Sequence, residues 1–158
     1  MLGVVAACAL AGCHHRRERL PLMDEVIEER IVHGVVTFAG DGATGRIMLQ
    51  TAAGPLRLIP SRADSLALER IAGDEIAARG VEGREGLRLE RFTVLSVDGV
   101  AVLDGVVRAD GSGFLLETQG RRVRLGNPPA AFKVLVGARV WVAGAPDTGP
   151  IRYGVIQP

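Results

Sequence analysis

Histidine residues are the first candidates for chemistry, because a neutral imidazole binds metals and acts as a base near neutral pH. The chain contains His14, His15 and His33. His14 and His15 are neighbours in a charged segment that holds no fixed geometry, and no further ligands accompany them at a metal-binding spacing. His33 falls within a predicted strand. We therefore predict no metal site and no cofactor.

A glycine-rich segment at residues 40–45 fits the dinucleotide-binding pattern G-x-G-x-x-G. That pattern holds a pyrophosphate only when a helix begins directly after the glycines. Residues 46–51 predict a strand instead, so the glycines are interpreted as a turn. Nucleophilic catalysis needs a nucleophile, a base and an orienting group. His33 is the one histidine after the N-terminal segment, and no serine lies in a nucleophile-elbow sequence that could pair with it. The sequence predicts a protein that is not an enzyme.

One group of side chains is a candidate binding surface. Alternation along the strand predicted at residues 138–144 puts Arg139 and Trp141 on one face. Arg122 and Arg124 alternate with apolar residues on a neighbouring predicted strand. If these faces lie on the same side, Trp141 is an anchor among arginines for a protein, a glycan or an anionic ligand. The alternative, which carries more weight because small barrels need such plugs, is that Trp141 seals a contact between two barrels.

The N-terminal segment has the pattern of a cleavable secretory signal. Residues 1–12 contain no charged side chain, and a polar stretch follows Cys13. The apolar stretch is shorter than the roughly 20 residues that span a bilayer. Its end, Leu10-Ala11-Gly12-Cys13, resembles the lipobox of bacterial lipoproteins, although the segment lacks the usual basic start.

The resemblance implies a lipid-anchored protein of the cell envelope. In bacterial lipoproteins the signal is cut before the cysteine, whose thiol and new amino group carry acyl chains, and several long chains make an essentially permanent anchor. His14 stands where an Asp would retain an enterobacterial lipoprotein in the inner membrane, so we expect the outer membrane, facing the periplasm, in a Gram-negative cell. The alternative, a thiol in a buried helix, conflicts with the charged block after Cys13.

Composition and charge limit the classes of partner. The formal net charge is +1, so no global field attracts nucleic acid. Aromatic residues make up 4% of the chain, which argues against a stacking platform for single strands. With 47% hydrophobic residues the chain can bury a core. We expect the membrane, through Cys13, and an envelope protein or polysaccharide as partners, and no nucleic acid.

The chain repeats itself once, since four blocks of its first half recur in the same order in its second half. The corresponding residues are 33–36 and 104–107, 49–58 and 116–125, 73–80 and 137–144, and 87–89 and 151–153. Four blocks in one order make chance similarity improbable and indicate two tandem domains.

Each copy predicts five short strands separated by glycine-containing turns. The predicted strands are residues 30–38, 45–51, 55–60, 74–81 and 86–96, and residues 100–108, 113–119, 121–126, 138–144 and 150–156. The predicted domain order is a signal at 1–12, a lipidated cysteine and tether at 13–29, a first barrel at 30–98 and a second barrel at 99–158.

A short helix is predicted between the third and fourth strands of the first copy. Ser61 can cap its first turn, Asp64 stands where a capping-box acid belongs, and Gly73 ends it. This order resembles the OB-fold, a five-stranded barrel. In the second copy residues 126–129 allow at most a single turn near 131–135. We predict an all-β protein of two tandem five-stranded OB-like barrels.

The leading hypothesis is a membrane-tethered, non-enzymatic binding or adaptor module for an envelope protein or polysaccharide. OB-like barrels bind ligands on strands two and three, so the resemblance points to Met48, Gln50, Arg57, Arg122 and Arg124. The alternatives are a structural envelope component with no small ligand, and a sensor of a small molecule or ion.

Overall fold

Two β-sheets form the described part of the protein. The computed structural model describes residues 29–40, 45–111, 113–149 and 151–158. The predicted signal, Cys13 and the tether as far as residue 28 lie outside these ranges. Within them, no helix is long and apolar enough to cross a bilayer.

The elements follow one another in the order predicted for a duplicated β domain. In the first domain they are β1 (Glu29–Ala39), β2 (Arg46–Thr51), β3 (Gly54–Ile59), α1 (Arg62–Arg70), β4 (Glu75–Gly83) and β5 (Gly86–Val97). The remaining elements are β6 (Val100–Ala101), β7 (Leu103–Asp110), β8 (Gly113–Glu117), β9 (Arg122–Leu125), a short 3-10 helix (Ala130–Val134), β10 (Arg139–Gly144) and β11 (Ile151–Gln157).

Strand β5 shows how apolar alternation builds the first core. Leu87 and Leu89 point inward, and after a register irregularity in its pairing with β4 the buried positions become Phe92 and Val94. The extra residue bends the strand, which lets both of its halves face one core. Phe92 is 1% exposed and belongs to the larger apolar cluster.

The first sheet closes on itself. Its order is β3-β2-β1-β4-β5-β6, and β3 also pairs with β5. This closing pair is parallel and joins Leu58 to Leu87 and Ile59 to Arg88. Closure removes most of the free strand edges, and such edges are where a sheet is prone to pair with other chains.

Helix α1 lies between β3 and β4 and is capped as the sequence predicts. The Asp64 backbone N–H donates to the Ser61 hydroxyl at 3.2 Å, and that hydroxyl donates to the Asp64 carboxylate at 2.7 Å. Ala67 and Leu68 on its inner face are fully buried. The helix therefore covers one end of the first barrel-like domain.

The second domain has the same strand order but a different closure. Its sheet runs β11-β10-β7-β8-β9, which matches strands five, four, one, two and three of the first domain. Among the described residues no backbone pairing joins β9 to β11. Instead the Gly126 N–H donates to the Pro146 carbonyl at 2.8 Å, so the turn between β10 and β11 meets the chain just beyond β9.

The predicted fold class is confirmed: the protein is all-β, with two domains and one short α-helix in the first. The slot of that helix in the second domain holds only the 3-10 turn, as expected from its prolines. Asp98 and Gly99 form a tight turn between the copies, and β6 pairs back onto β5, so residues 100–101 extend the first sheet.

Closure of the first domain predicts a sharp difference between two glycines of one hairpin. A Cβ at Gly86, where φ is +132°, would lie 2.3 Å from the Arg57 carbonyl oxygen, whereas a Cβ at Gly83 meets nothing within 4 Å. Gly86→Ala should lower the free energy of unfolding by about 1–3 kcal/mol from backbone strain alone. Gly83→Ala should stay within about 0.5 kcal/mol of the original protein. Urea unfolding measures both, and equal losses would contradict the closure.

Candidate binding cleft of the second domain

A buried ion pair joins the two domains. The Asp104 carboxylate, on β7, accepts hydrogen bonds from Arg139 Nε at 2.8 Å and Arg139 Nη2 at 2.6 Å. It also accepts the backbone N–H of Val94 in the first domain at 2.8 Å. Arg139 donates a further bond to the Phe92 carbonyl at 2.6 Å and lies 4.4 Å from the centre of the Phe92 ring. The buried atoms of both charged groups therefore have hydrogen-bond partners, which offsets the cost of removing them from water.

Trp141 lies on the same side of β10 as Arg139 and packs against the core of the first domain. Its indole covers Gly154 of β11 so closely that a Cβ there would lie 2.5 Å from the indole nitrogen. Two polar contacts extend the same boundary: Gln119 Nε2 donates to the Thr93 hydroxyl at 2.6 Å, and Arg70 Nη1 donates to the Ile156 carbonyl at 3.0 Å. Trp141 and Arg139 therefore belong to the contact between the domains.

Arg122 and Arg124 lie elsewhere, on β9, with side chains that are 72% and 65% exposed. Arg122 Nη2 is 3.3 Å from a Glu117 oxygen, and Arg124 Nη2 is 2.5 Å from an Asp110 oxygen. Hydrogen bonds from Arg108 and from Arg122 lower the pKa of Glu117. The structure thus divides the four predicted residues into an interdomain pair and an exposed pair.

The exposed pair lines a cleft of about 610 Å³ at one end of the second sheet. Its walls come from the start of β7, from β9, from the end of β10 and from the turn after it. The lining residues are Ala101, Val102, Leu103, Arg121, Arg122, Val123, Arg124, Val142, Gly144, Pro146 and Asp147. The cleft combines apolar side chains with three arginines and one carboxylate, Asp147, so positive charge predominates and the cleft can hold a ligand that has an apolar body and anionic groups.

The first domain has the same cleft at the corresponding place, but there it is smaller, about 240 Å³. An ion pair between Arg30 and Glu82, on the neighbouring strands β1 and β4, lines it, and Pro55 forms part of its wall. Counting along the repeat, Arg30, Pro55 and Glu82 are replaced in the second domain by Ala101, Arg122 and Pro146. The second copy has therefore lost the ion pair at the cleft and gained two arginines at its wall, because Arg121 also replaces Gly54.

The residues suggested on the first barrel lie apart from this cleft. Met48 and Arg57 are direct cross-strand neighbours on β2 and β3, and Gln50 Nε2 donates to the Thr37 hydroxyl at 3.4 Å. His33 is exposed on β1 opposite Ala77. As predicted, Arg46 begins a strand after the glycine-rich segment, whose residues 41–44 lie outside the described ranges.

Sequence reasoning missed Asp104 as a structural residue. Asp104 is the buried charged residue of the described core, at 8% exposure, in the place where the first copy has the exposed His33. Its partner Arg139 stands where the first copy has Glu75. The sequence signal for this ion pair is that both positions differ in charge between the copies: Asp104 replaces His33, and Arg139 replaces Glu75.

Neither a metal centre nor a known relative assigns a chemistry to the cleft. No group of three potential metal-binding side chains occurs in the part of the chain that the structure describes. Comparisons of the chain with protein-family models, with curated proteins and with solved structures find no match.

The buried Asp104–Arg139 ion pair at the domain contact predicts a large cost for removing one partner. Asp104→Ala leaves Arg139 without its counter-charge and Val94 without an acceptor, so the free energy of unfolding should fall by about 3–5 kcal/mol. Iodide should also quench Trp141 fluorescence more strongly, because the domain contact loosens. Glu82→Gln, at an exposed ion pair, is the control and should change neither measurement. An unchanged stability in the Asp104 variant would show that the ion pair does not hold the domains.

Proposed function

We propose that this protein is a lipid-anchored binding module of the cell envelope, and that the cleft of its second domain binds an anionic group of an envelope protein or polysaccharide. The anchor is Cys13, and the tandem OB-like domains are the part that binds. No chemical step belongs to this function, because the cleft offers hydrogen-bond donors and apolar surface and no paired nucleophile and base.

The observation that carries the proposal is the difference between the two copies of one cleft. The copies share their strand order, yet only the second has a cleft of about 610 Å³ walled by three arginines. In the first copy the equivalent space is smaller, about 240 Å³, and is lined by the Arg30–Glu82 ion pair. A duplicated domain that keeps its framework and changes the lining of one cleft has the pattern of a site that acquired a ligand.

The existing ion pairs of the arginines do not prevent binding. Arg122 and Arg124 pair with acids on the surface, where solvent screens such pairs and a typical pair contributes little to stability. An incoming carboxylate, sulfate or phosphate can replace or join these partners with forked hydrogen bonds from the guanidinium. No carboxylate of the described residues forms an ion pair with Arg121, which leaves a further cation for the ligand.

A structural envelope component is the second candidate. It is favoured by the position of Trp141, because the one tryptophan of the chain packs at the domain contact and leaves the exposed surface without an aromatic anchor of that size. A structural component and a binding module differ in whether contacts in the cell depend on the arginines of the cleft.

Lipid anchoring predicts different behaviour for the two cysteines of the chain. In cells that produce the full chain, Cys13→Ser should abolish incorporation of a labelled fatty acid and release the protein from the membrane fraction, because the thiol that carries the lipid is gone. Cys8→Ser is the matched control and should leave both unchanged, since residue 8 is removed with the signal. Membrane retention of an unlabelled Cys13 variant would overturn the anchor.

The cleft predicts where contacts with other envelope molecules occur. A photo-crosslinking amino acid in place of Arg121, at the cleft, should give an adduct in intact cells. The same amino acid in place of Val134, which is 85% exposed and outside the cleft, is the control and should give none. Adding Arg122→Ala and Arg124→Ala should reduce the Arg121-site adduct severalfold. Equal adducts at both positions, or none at either, would contradict binding in the cleft.

A further inference from the structure

The strand that carries the arginines is also the open edge of the second sheet. β9 pairs with β8 through Glu117 and Arg122 at one end and through Phe114 and Leu125 at the other. On its other side no strand of the described residues pairs with it. That side faces the cleft, because all residues from 121 to 124 line it.

The hydrogen bonds at the ends of β9 show which backbone groups face the cleft. At the hairpin, the Thr118 N–H donates to the Arg121 carbonyl at 2.9 Å, so Arg121 directs its backbone toward β8. Hydrogen-bonded and non-hydrogen-bonded pairs alternate along an antiparallel ladder. Val123 and Leu125 therefore also face β8, whereas Arg122 and Arg124 direct their N–H and C=O groups away from it. Gly126 follows the same alternation, since its N–H turns away from β8 to reach the Pro146 carbonyl.

The corresponding edge in the first domain is blocked in two ways. Pro55 occupies the position of Arg122 and has no N–H to donate. Arg57, at the position of Arg124, is covered by Gly86, whose missing Cβ would lie 2.3 Å from the Arg57 carbonyl oxygen. In the second domain Arg122 has a backbone N–H to donate, and the position of Arg124 faces an open cleft.

Charge selects what can add to this edge. A polypeptide that extends β9 brings alternate side chains close to those of Arg122 and Arg124. Basic side chains on the partner would repel them, and a second copy of β9 would bring its own arginines. Acidic side chains would form charge-assisted hydrogen bonds with the guanidinium groups, while apolar side chains at the alternate positions would meet Val123 and the floor of the cleft.

We propose that an extended acidic segment of a partner protein adds to the sheet as a strand beside β9, with its backbone bonded to Arg122 and Arg124 and its carboxylates to the guanidinium groups of the same two residues. This inference rests on the proposed function, and it names the class of partner and the mode of recognition. β9 spans four residues, so the paired segment is short and sequence preference comes from the alternation of acidic and apolar side chains.

The test compares three probes on the full chain in detergent micelles. The first is a short peptide that alternates valine and glutamate. The second is a matched set of two such peptides, each N-methylated at every second amide, one on the odd-numbered and one on the even-numbered amides. The third is dextran sulfate. The valine–glutamate peptide should bind and slow hydrogen exchange at the Arg122 and Arg124 amides. N-methylation of the amides that would donate to β9 should weaken binding about tenfold, because those backbone hydrogen bonds are lost. Methylation of the other set should leave binding unchanged.

Two variants separate charge from backbone pairing. Arg122→Gln removes one charge and keeps the N–H, whereas Arg122→Pro removes both and reproduces the proline of the first domain. The proline variant should bind the peptide more weakly than the glutamine variant, while both should bind dextran sulfate equally. Unchanged Trp141 fluorescence checks that each variant keeps its domain contact, and if the proline variant unfolds, the methylated peptides and amide exchange still decide.

Strand addition is overturned if the methylated and unmethylated peptides bind alike, if dextran sulfate protects the same amides, or if no peptide binds. With the Arg121-site adduct still present in cells, those results leave the cleft as a site for an anionic polysaccharide or for an anionic group recognised without strand pairing. Absence of the adduct as well would remove the proposed function together with the inference.

Discussion

The structure depends on how the backbone groups of β5 that have no strand partner on one side form their hydrogen bonds. β5 pairs with β3 only at Leu87 and Arg88 and with β6 only at its last two residues, which leaves backbone groups between them without a strand partner on that side. The second domain supplies the missing partners. Asp104 accepts from Val94, Arg139 donates to the Phe92 carbonyl, and the Val102 N–H donates to the Leu95 carbonyl at 3.0 Å. A buried ion pair is costly unless all of its hydrogen bonds are made, and here the first domain completes them.

This constraint explains why the arginines of the second domain have separate roles. Arg139 is 18% exposed and is held by the interface, and Trp141 beside it covers the first core. The faces of β10 alternate, so Val142 lies on the other face from Trp141 and lines the cleft together with the arginines of β9. The tryptophan and the cleft arginines therefore cannot form one surface, although both follow from the same alternation of the sequence.

The sequence predicts most of the strands and the capped helix because these depend on local patterns. Apolar alternation, the Ser61 cap and the glycine turns act within a few residues, and the observed elements agree closely with the expected ranges. What it does not predict depends on contacts between distant residues. The hydrogen bond from Val94 to Asp104, the open side of β9 and the Arg30–Glu82 ion pair become visible only when the sheets are assembled. Comparing equivalent positions of the repeat identifies the residues that changed, and the contacts in the structure show what each change does.

An open edge in a domain this small requires support from elsewhere. A five-stranded sheet of about 60 residues has a marginal core, and losing its closing pair would normally destabilise it. Here β11, the strand that would have closed the sheet, is held from outside: Ile156 belongs to the apolar core of the first domain, and its carbonyl accepts from Arg70 on α1. Since the first domain stabilises β11, the outer edge of β9 can remain without a strand partner and the fold is kept. One copy thus stabilises the assembly, and the other keeps an open strand edge.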